Sequence, residues 1–314
     1  MQADSKKAVL AALFGNLGIA VFKFIAAIMS RSSSMLAEAY HSASDTFNQI
    51  LLLYGLHRSR KPADECHRFG HGKEQYFWSF MVAVLLFAVA GALSVREGLH
   101  KISHPEPIRN IGLAYLAILV GVVFEGLALR VAVLNLKREM AEERHKGLLA
   151  AVRDSKDPAT LTVLFEDSLA LIGLFLAAAA ITLVRITGIL VLDAVASITI
   201  GALLMIFALF LANETKKLLV GEGVTMRKRA RILKCLEAYP EVNRVISLRS
   251  MHLSPSDVLV ALEINYTDDL SMDRLEQVND RIEAAIHAFI PGARVYLEAE
   301  NYADGEDPGL PVRR

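Results

Sequence analysis

Hydrophobic residues fill six long blocks in the first two-thirds of the chain, 8–29, 34–56, 77–100, 111–134, 160–184 and 188–212, with polar segments between them. At 1.5 Å of rise per residue a helix needs roughly 20 mostly apolar residues to cross a bilayer, so each block predicts one span. Beyond Gly221 the pattern becomes that of a soluble domain. A basic amphipathic segment, 226–238, ends before Pro240, and the alternating stretches 245–252 and 258–266 flank a Ser254-Pro255-Ser256-Asp257 turn. A helical pattern over 271–289 stops at Pro291-Gly292 and leads into a last strand, 294–300. The predicted fold is an α-helical integral membrane protein with six transmembrane helices and a C-terminal cytoplasmic α+β domain of order αββαβ. Its expected domains are 1–220 for transport and 221–302 for dimerisation and regulation. The tail 303–314, rich in Gly, Pro and charge, is expected to be disordered.

Composition agrees with a membrane protein: 54% of the 314 residues are hydrophobic and the mean hydropathy is +0.38. The polar start, Met1 to Lys7, runs straight into the first block, which is expected to stay as a helix. The zero formal net charge argues against nucleic-acid binding. Charge placement says more. Lys6 and Lys7, then Arg58, Arg60, Lys61, Arg68 and Lys73, then Lys137, Arg138, Arg144, Lys146, Arg153 and Lys156 all fall on one side of the six spans, whereas the opposite loops carry fewer basic residues. The positive-inside rule puts that side, with both termini, in the cytoplasm, and a cell's inner (plasma) membrane is the expected location. Cys66 and Cys235, far apart, fit neither a disulfide framework nor a CxxC site and are expected to be reduced thiols.

Ionisable groups inside the spans carry the chemistry. His41 and Asp45 are four apart and share one face of the second span, with Glu38 and Asn48 on the same polar stripe. Glu166 and Asp167 are adjacent carboxylates in the otherwise apolar fifth span. Such groups are costly at membrane depth and face a cavity or a partner. They either pair with Lys23 of the first span or Arg130 of the fourth, or together make a metal site suited to zinc or a neighbouring first-row metal. Glu125, in the fourth span with Arg130 nearby, reads as a structural charge and not as a ligand. In the second loop, Asp64, Cys66, His67 and His71 lie within eight residues. That density suits either a metal site or a solvated loop whose histidines cap the third helix.

Several segments together carry a resemblance: SSMLAEAYHSASDTFNQ (33–49), HRFGHGKEQY (67–76), KDPATLTVLFEDSLALIG (156–173), Asp193 and the αββαβ tail. Over nearly its whole length the chain resembles the cation diffusion facilitators, which carry divalent metals across membranes. The resemblance implies a transport site built from one ligand pair on the second helix, matched by His41 and Asp45, and a second pair on the fifth. Setting Gly173 on the family's glycine makes Asp167 one member of that pair. The other member falls on Val163, which cannot bind a metal, leaving Glu166, Asn48 or a water to complete the shell. The resulting oxygen-rich site keeps manganese, iron(II) and cobalt open beside zinc.

The resemblance also implies a peripheral metal site at Asp64, His67 and His71, to which Cys66 is a possible addition. The family's cluster in the cytoplasmic domain is not expected, because its positions carry Ile246, Ala261, Glu298 and Glu300. His252 and His287 read as surface residues. The expected partners are a divalent metal and protons as substrates, the lipid bilayer, and a second copy of the chain joined through the cytoplasmic domain. An interlocking pair of Lys73 with Glu222 is further implied. No cofactor is expected, and no phosphate-binding loop or HExxH helix suggests an ATP-driven pump or a metallohydrolase. The competing reading is a non-transporting scaffold or metal sensor of the same fold.

Overall fold

In a computed structural model, the protein is described for the backbone of residues 2–143 and 158–300 and for the side chains of 13–134 and 164–300. The tail 303–314 and the basic residues 144–156 lie outside the described residues, as do the side chains of Lys137, Arg138 and Val163. Six long helices come first: α1 (Gln2–Ser30), α2 (Ser33–Ser59), α3 (Glu74–Ser103), α4 (Ile111–Glu143), α5 (Pro158–Thr187) and α6 (Val191–Val220). Chain contacts divide the molecule into two units. One holds the helices, up to Arg58 and from Glu74 to Lys216, and the other holds Ser59–Lys73 with the chain from Lys217 onward.

Among the described residues, five of the helices are long and apolar enough to cross a membrane, and α2 is the exception. It is long enough at 27 residues, but it buries a polar stripe of Glu38, His41, Ser44, Thr46 and Asn48. Its apolar residues Phe47, Ile50 and Tyr54 are the exposed ones. The rest of the bundle is arranged in the same sense. Small residues such as Ala26, Ala37, Ala90, Ala117 and Ala177 fill the interior, while Phe14, Ile28, Phe175, Ile186 and Ile206 point outward. This is the arrangement expected where lipid gives large side chains no reason to turn inward and close backbone approach supplies the packing.

α3 contains a π-helical stretch, Leu86–Ala92, and crosses α6 there. A Cβ on Gly201 would lie 2.7 Å from the Gly91 carbonyl oxygen, so only glycine permits this approach. The start of α2 is fixed from another helix. The buried Asp193 carboxylate of α6 accepts hydrogen bonds from Ser33 N (2.6 Å) and Ser34 N (3.2 Å), two of the orphan donors at the α2 N-terminus. It also accepts from the hydroxyls of Ser32, Ser33 and Ser34 at 2.7, 3.0 and 2.5 Å.

The second unit continues as α7 (Met226–Leu236), β1 (Val242–Ser254), β2 (Asp257–Tyr266), α8 (Met272–His287) and β3 (Ala293–Ala299). β1 and β2 pair antiparallel, while β3 returns parallel to β2 after the α8 crossover. Thr225 and Ser271 cap the two helices by accepting from Lys228 N and Arg274 N. Strict alternation along β2 buries Val258, Val260, Leu262 and Ile264 against Ile232 and Leu236 of α7 and Val278, Ile282 and Ile286 of α8. A hydrogen bond from its own backbone, then the Arg281 guanidinium at 3.0 Å and that of Arg274 at 2.6 Å, hold the Glu241 carboxyl below the usual range.

His252 departs from the expectation of a surface histidine, since it is buried on β1. The cause is the connector after α6. It crosses this end of the strand so closely that a Cβ on Gly223 would lie 2.8 Å from Ser250 Oγ, and the Glu222 carbonyl accepts from His252 N at 3.0 Å. His287 is about 41% exposed in its side chain, and its Nε2 lies 2.8 Å from the Ala293 carbonyl.

Candidate functional site

The loop cluster is built almost entirely from its own short segment. Asp64 folds the chain back on itself: Oδ1 accepts from Cys66 N at 2.9 Å and His67 N at 2.6 Å, in an Asx-type turn. The turn brings His67 Nδ1 to 3.2 Å from Oδ1 and His71 Nε2 to 2.9 Å from Oδ2, with the two imidazole rings 4.2 Å apart. One ligand atom from each of Asp64, His67 and His71 lies within 4.8 Å of the others, and Cys66 is not in this set. The hydrogen bond from His71, then that from His67 N, holds the Asp64 carboxyl well below the usual carboxylate range.

This loop packs on the sheet of its own unit. The Arg294 guanidinium sits 6.0 Å from the Phe69 ring centroid, and a Cβ on Gly72 would be 2.5 Å from the Leu253 carbonyl oxygen. Lys73 Nζ donates to the Leu219 carbonyl at 3.3 Å.

The cluster inside the bundle is assembled from residues far apart in sequence. On α2, His41 Nδ1 lies 3.4 Å from Asp45 Oδ1, one helical turn on. His41 is 1% exposed, and neither of its ring nitrogens has a hydrogen-bond partner among the described residues. Asp45 Oδ1 and Asp167 Oδ2 are likewise buried without a hydrogen bond. Asp45, Glu125, Glu166 and Asp167 line one cavity of about 50 Å³ with Ser42 and Gln49. That is room for an ion or a few waters. Glu166 Oε1 accepts a short hydrogen bond from Asn48 Nδ2, so two of the groups considered as replacements at Val163 are bonded to each other.

Beside this cavity runs an ion-pair chain. Lys23 of α1 is fully buried, with Nζ 3.4 Å from Glu38 Oε2 and 3.5 Å from Glu125 Oε1. Arg130, near Glu125 in sequence, takes no part in this ion-pair chain, because five residues along a helix turn the two side chains to different faces, and Arg130 is exposed. Sequence signals did mark Lys23 and Glu125 as intramembrane charges. The contact between them comes from helix packing, which no local pattern encodes.

A multi-helix membrane bundle that buries a carboxylate-rich cavity, followed by a small αββαβ domain, defines a polytopic membrane protein that handles cations. Two family models cover it almost completely: the cation efflux transmembrane domain over residues 9–220, and the cation efflux protein cytoplasmic domain over 226–302. The chain belongs to the cation efflux, or cation diffusion facilitator, family, whose members are transporters rather than enzymes.

Metal tolerance protein C4 of Arabidopsis thaliana is 32% identical over 85% of this chain and 58% of its own length. The human mitochondrial proton-coupled zinc antiporter SLC30A9 is 32% identical over 83% of the chain and 46% of its own. The chain thus spans about half the length of these relatives. The cation-efflux pump FieF of Cronobacter sakazakii is 26% identical over 94% of the chain and 92% of its own length.

Proposed function

We propose that this cation efflux transporter moves a divalent transition metal, zinc foremost, out of the cytoplasm in exchange for protons, through a site made of His41, Asp45 and Asp167 with Glu166 beside them. The observation that carries the reading is the fully buried, unpartnered His41 imidazole against Asp45, whose carboxylate opens on the same cavity as Asp167. Buried polar groups without partners cost about 1–3 kcal/mol each, and a bound cation removes that penalty. Metal loading requires a neutral imidazole and ionised carboxylates, so metal and protons compete for the same atoms. If the two sides of the membrane are reached in turn, an inward proton gradient drives metal outward. The zinc and proton coupling in the printed name of SLC30A9 supports this choice of cargo and coupling ion.

The family's loop site is proposed for Asp64, His67 and His71, with metal held there more weakly because the three side chains already satisfy one another. The protein is proposed to act as a homodimer through its C-terminal domain in a plasma membrane, with both termini cytoplasmic. Removing the chain after Gly221 is expected to dissociate the dimer in native mass spectrometry. A dimer unchanged by that truncation would refute this part.

Reconstituted proteoliposomes decide the main point. With an acidic lumen, radioactive zinc is expected to accumulate, and collapsing the gradient with an ionophore is expected to stop it. Uptake no greater than in empty liposomes would favour the scaffold or sensor reading, and uptake indifferent to the gradient would refute proton exchange.

A further inference from the structure

We infer that Glu125 of α4 is a metal ligand of the transport site, supplying the donor that Val163 cannot, and that Lys23 holds this carboxylate while no metal is bound. The inference rests on the site proposed above and extends it from two helices to three. Four carboxylates line the cavity, and three of them, Asp45, Glu166 and Asp167, belong to the site already described. The fourth, Glu125, is the only one of the four on α4, and its side chain is 15% exposed. Its Oε1 lies 3.5 Å from Lys23 Nζ.

A cluster of acids alone would say little, since carboxylates gather in many places without a metal. Two further observations point to a cation. His41, 1% exposed and with no hydrogen bond to either nitrogen among the described residues, abuts the cavity-lining Asp45 with Nδ1 3.4 Å from its Oδ1 and adds a nitrogen donor to the carboxylates. The two side chains first considered for the ligand position at Val163 are engaged with each other, because Asn48 donates to Glu166. Among the described residues, Glu125 is tied by a long ion pair to a cation that a divalent metal can outcompete.

Lys23 is itself a built feature. Its stem passes Gly121 of α4 so closely that a Cβ there would lie 3.1 Å from Lys23 Cε. Its other partner, Glu38, presses against Gly173 of α5, where any Cβ would collide with Oε1. The ammonium is therefore fixed between Glu38 and Glu125 and shares the second of these with the cavity. In the empty site it compensates part of the carboxylate charge, and an arriving metal takes Glu125 from it. A hard carboxylate from a third helix also makes the donor set richer in oxygen, which lowers any preference for zinc over manganese or cobalt.

Cobalt(II) binding to the purified, detergent-solubilised full chain tests this, because its visible absorption reports coordination. The His67→Ala/His71→Ala background removes the loop donors. Glu125→Gln, which keeps size and removes the charge, is expected to weaken cobalt binding by about tenfold or more and to shift the visible bands. Glu125→Asp is expected to lose less. Lys23→Met is expected to bind more tightly than the background, since the competing cation is gone. If that variant does not fold, Lys23→Gln combined with Glu38→Gln removes both charges of the buried pair and is expected to act in the same direction. Asp45→Ala is the control for the underlying site and is expected to abolish binding. An unchanged affinity and spectrum in Glu125→Gln, with binding lost in Asp45→Ala, would overturn the Glu125 assignment alone. Unaltered binding in both would overturn the transport site as well. Weaker or equal binding in the Lys23 variants would overturn the holding role of Lys23.

Discussion

The two histidine-carboxylate clusters of this protein use the same donor types and differ in how their donors are satisfied by the protein itself. In the loop, eight residues make the whole set, water reaches it, and every donor is already hydrogen-bonded to another. In the bundle, helices separated by more than a hundred residues contribute, and His41, Asp45 and Asp167 keep buried atoms without a hydrogen bond. A self-satisfied set gains little from a metal, because each ligand bond replaces a hydrogen bond. A set with unmet groups in a low-dielectric setting gains the full amount, and only a metal or protons can supply it. The contrast is the ground for proposing turnover in the bundle and capture in the loop.

The largest expected effect comes from emptying the bundle site of a donor. Asp45→Ala or His41→Ala should reduce proteoliposome flux to the level of empty vesicles while the dimer survives on size exclusion. Wild-type flux in either would break the contrast at its root. Asp167→Ala should be as damaging. If Glu166→Ala abolishes flux and Asp167→Ala spares it, the ligand position is one residue earlier than assigned.

Next in size is the Asp193 cap, which supports the α2 pair without touching it. Asp193→Ala leaves two backbone N–H groups and three buried hydroxyls of Ser32–Ser34 without their acceptor. Hydrogen bonds to a charged group contribute about 1.5–3 kcal/mol, so a loss of about 3 kcal/mol in stability is expected. Thermal unfolding in detergent measures it. A variant as stable as wild type would mean that α2 holds its own start and that Asp193 contributes nothing to presenting His41.

How much of this was readable beforehand followed the range of each interaction. The αββαβ order was legible because Pro240, the Ser254–Asp257 turn and Pro291-Gly292 punctuate it locally, and strict alternation gave the buried face of β2. The loop cluster was legible as a dense eight-residue segment, 64–71, in which the resemblance singled out Asp64, His67 and His71. The ion pair of Lys23 with Glu125 spans a hundred residues, and the cover over His252 comes from a connector some thirty residues upstream. Neither leaves a periodic trace. α2 shows the converse: its polar stripe marks the candidate site, and the same stripe lowers its apolarity below that of the other five helices.

The smallest effect is expected in the loop, and two measurements define it. The Asp64 carboxyl is held below its ordinary value, so its turn-forming charge is present above that ordinary value, about 4, and is lost only as pH falls through the lowered one. Between pH 7 and 5 the Cys66 and His67 amides should therefore keep their hydrogen bonds and their exchange protection. Loss of protection in that range would mean that the turn does not depend on the carboxylate. With the turn intact, His67→Ala/His71→Ala removes two donors and leaves Asp64 its backbone partners. The apparent KM for zinc should rise a fewfold, consistent with a capture site that feeds the bundle, while flux at saturating zinc should match wild type. A complete loss of flux at saturation would reverse the two roles, because a set satisfied by its own hydrogen bonds would then be the one that turnover requires.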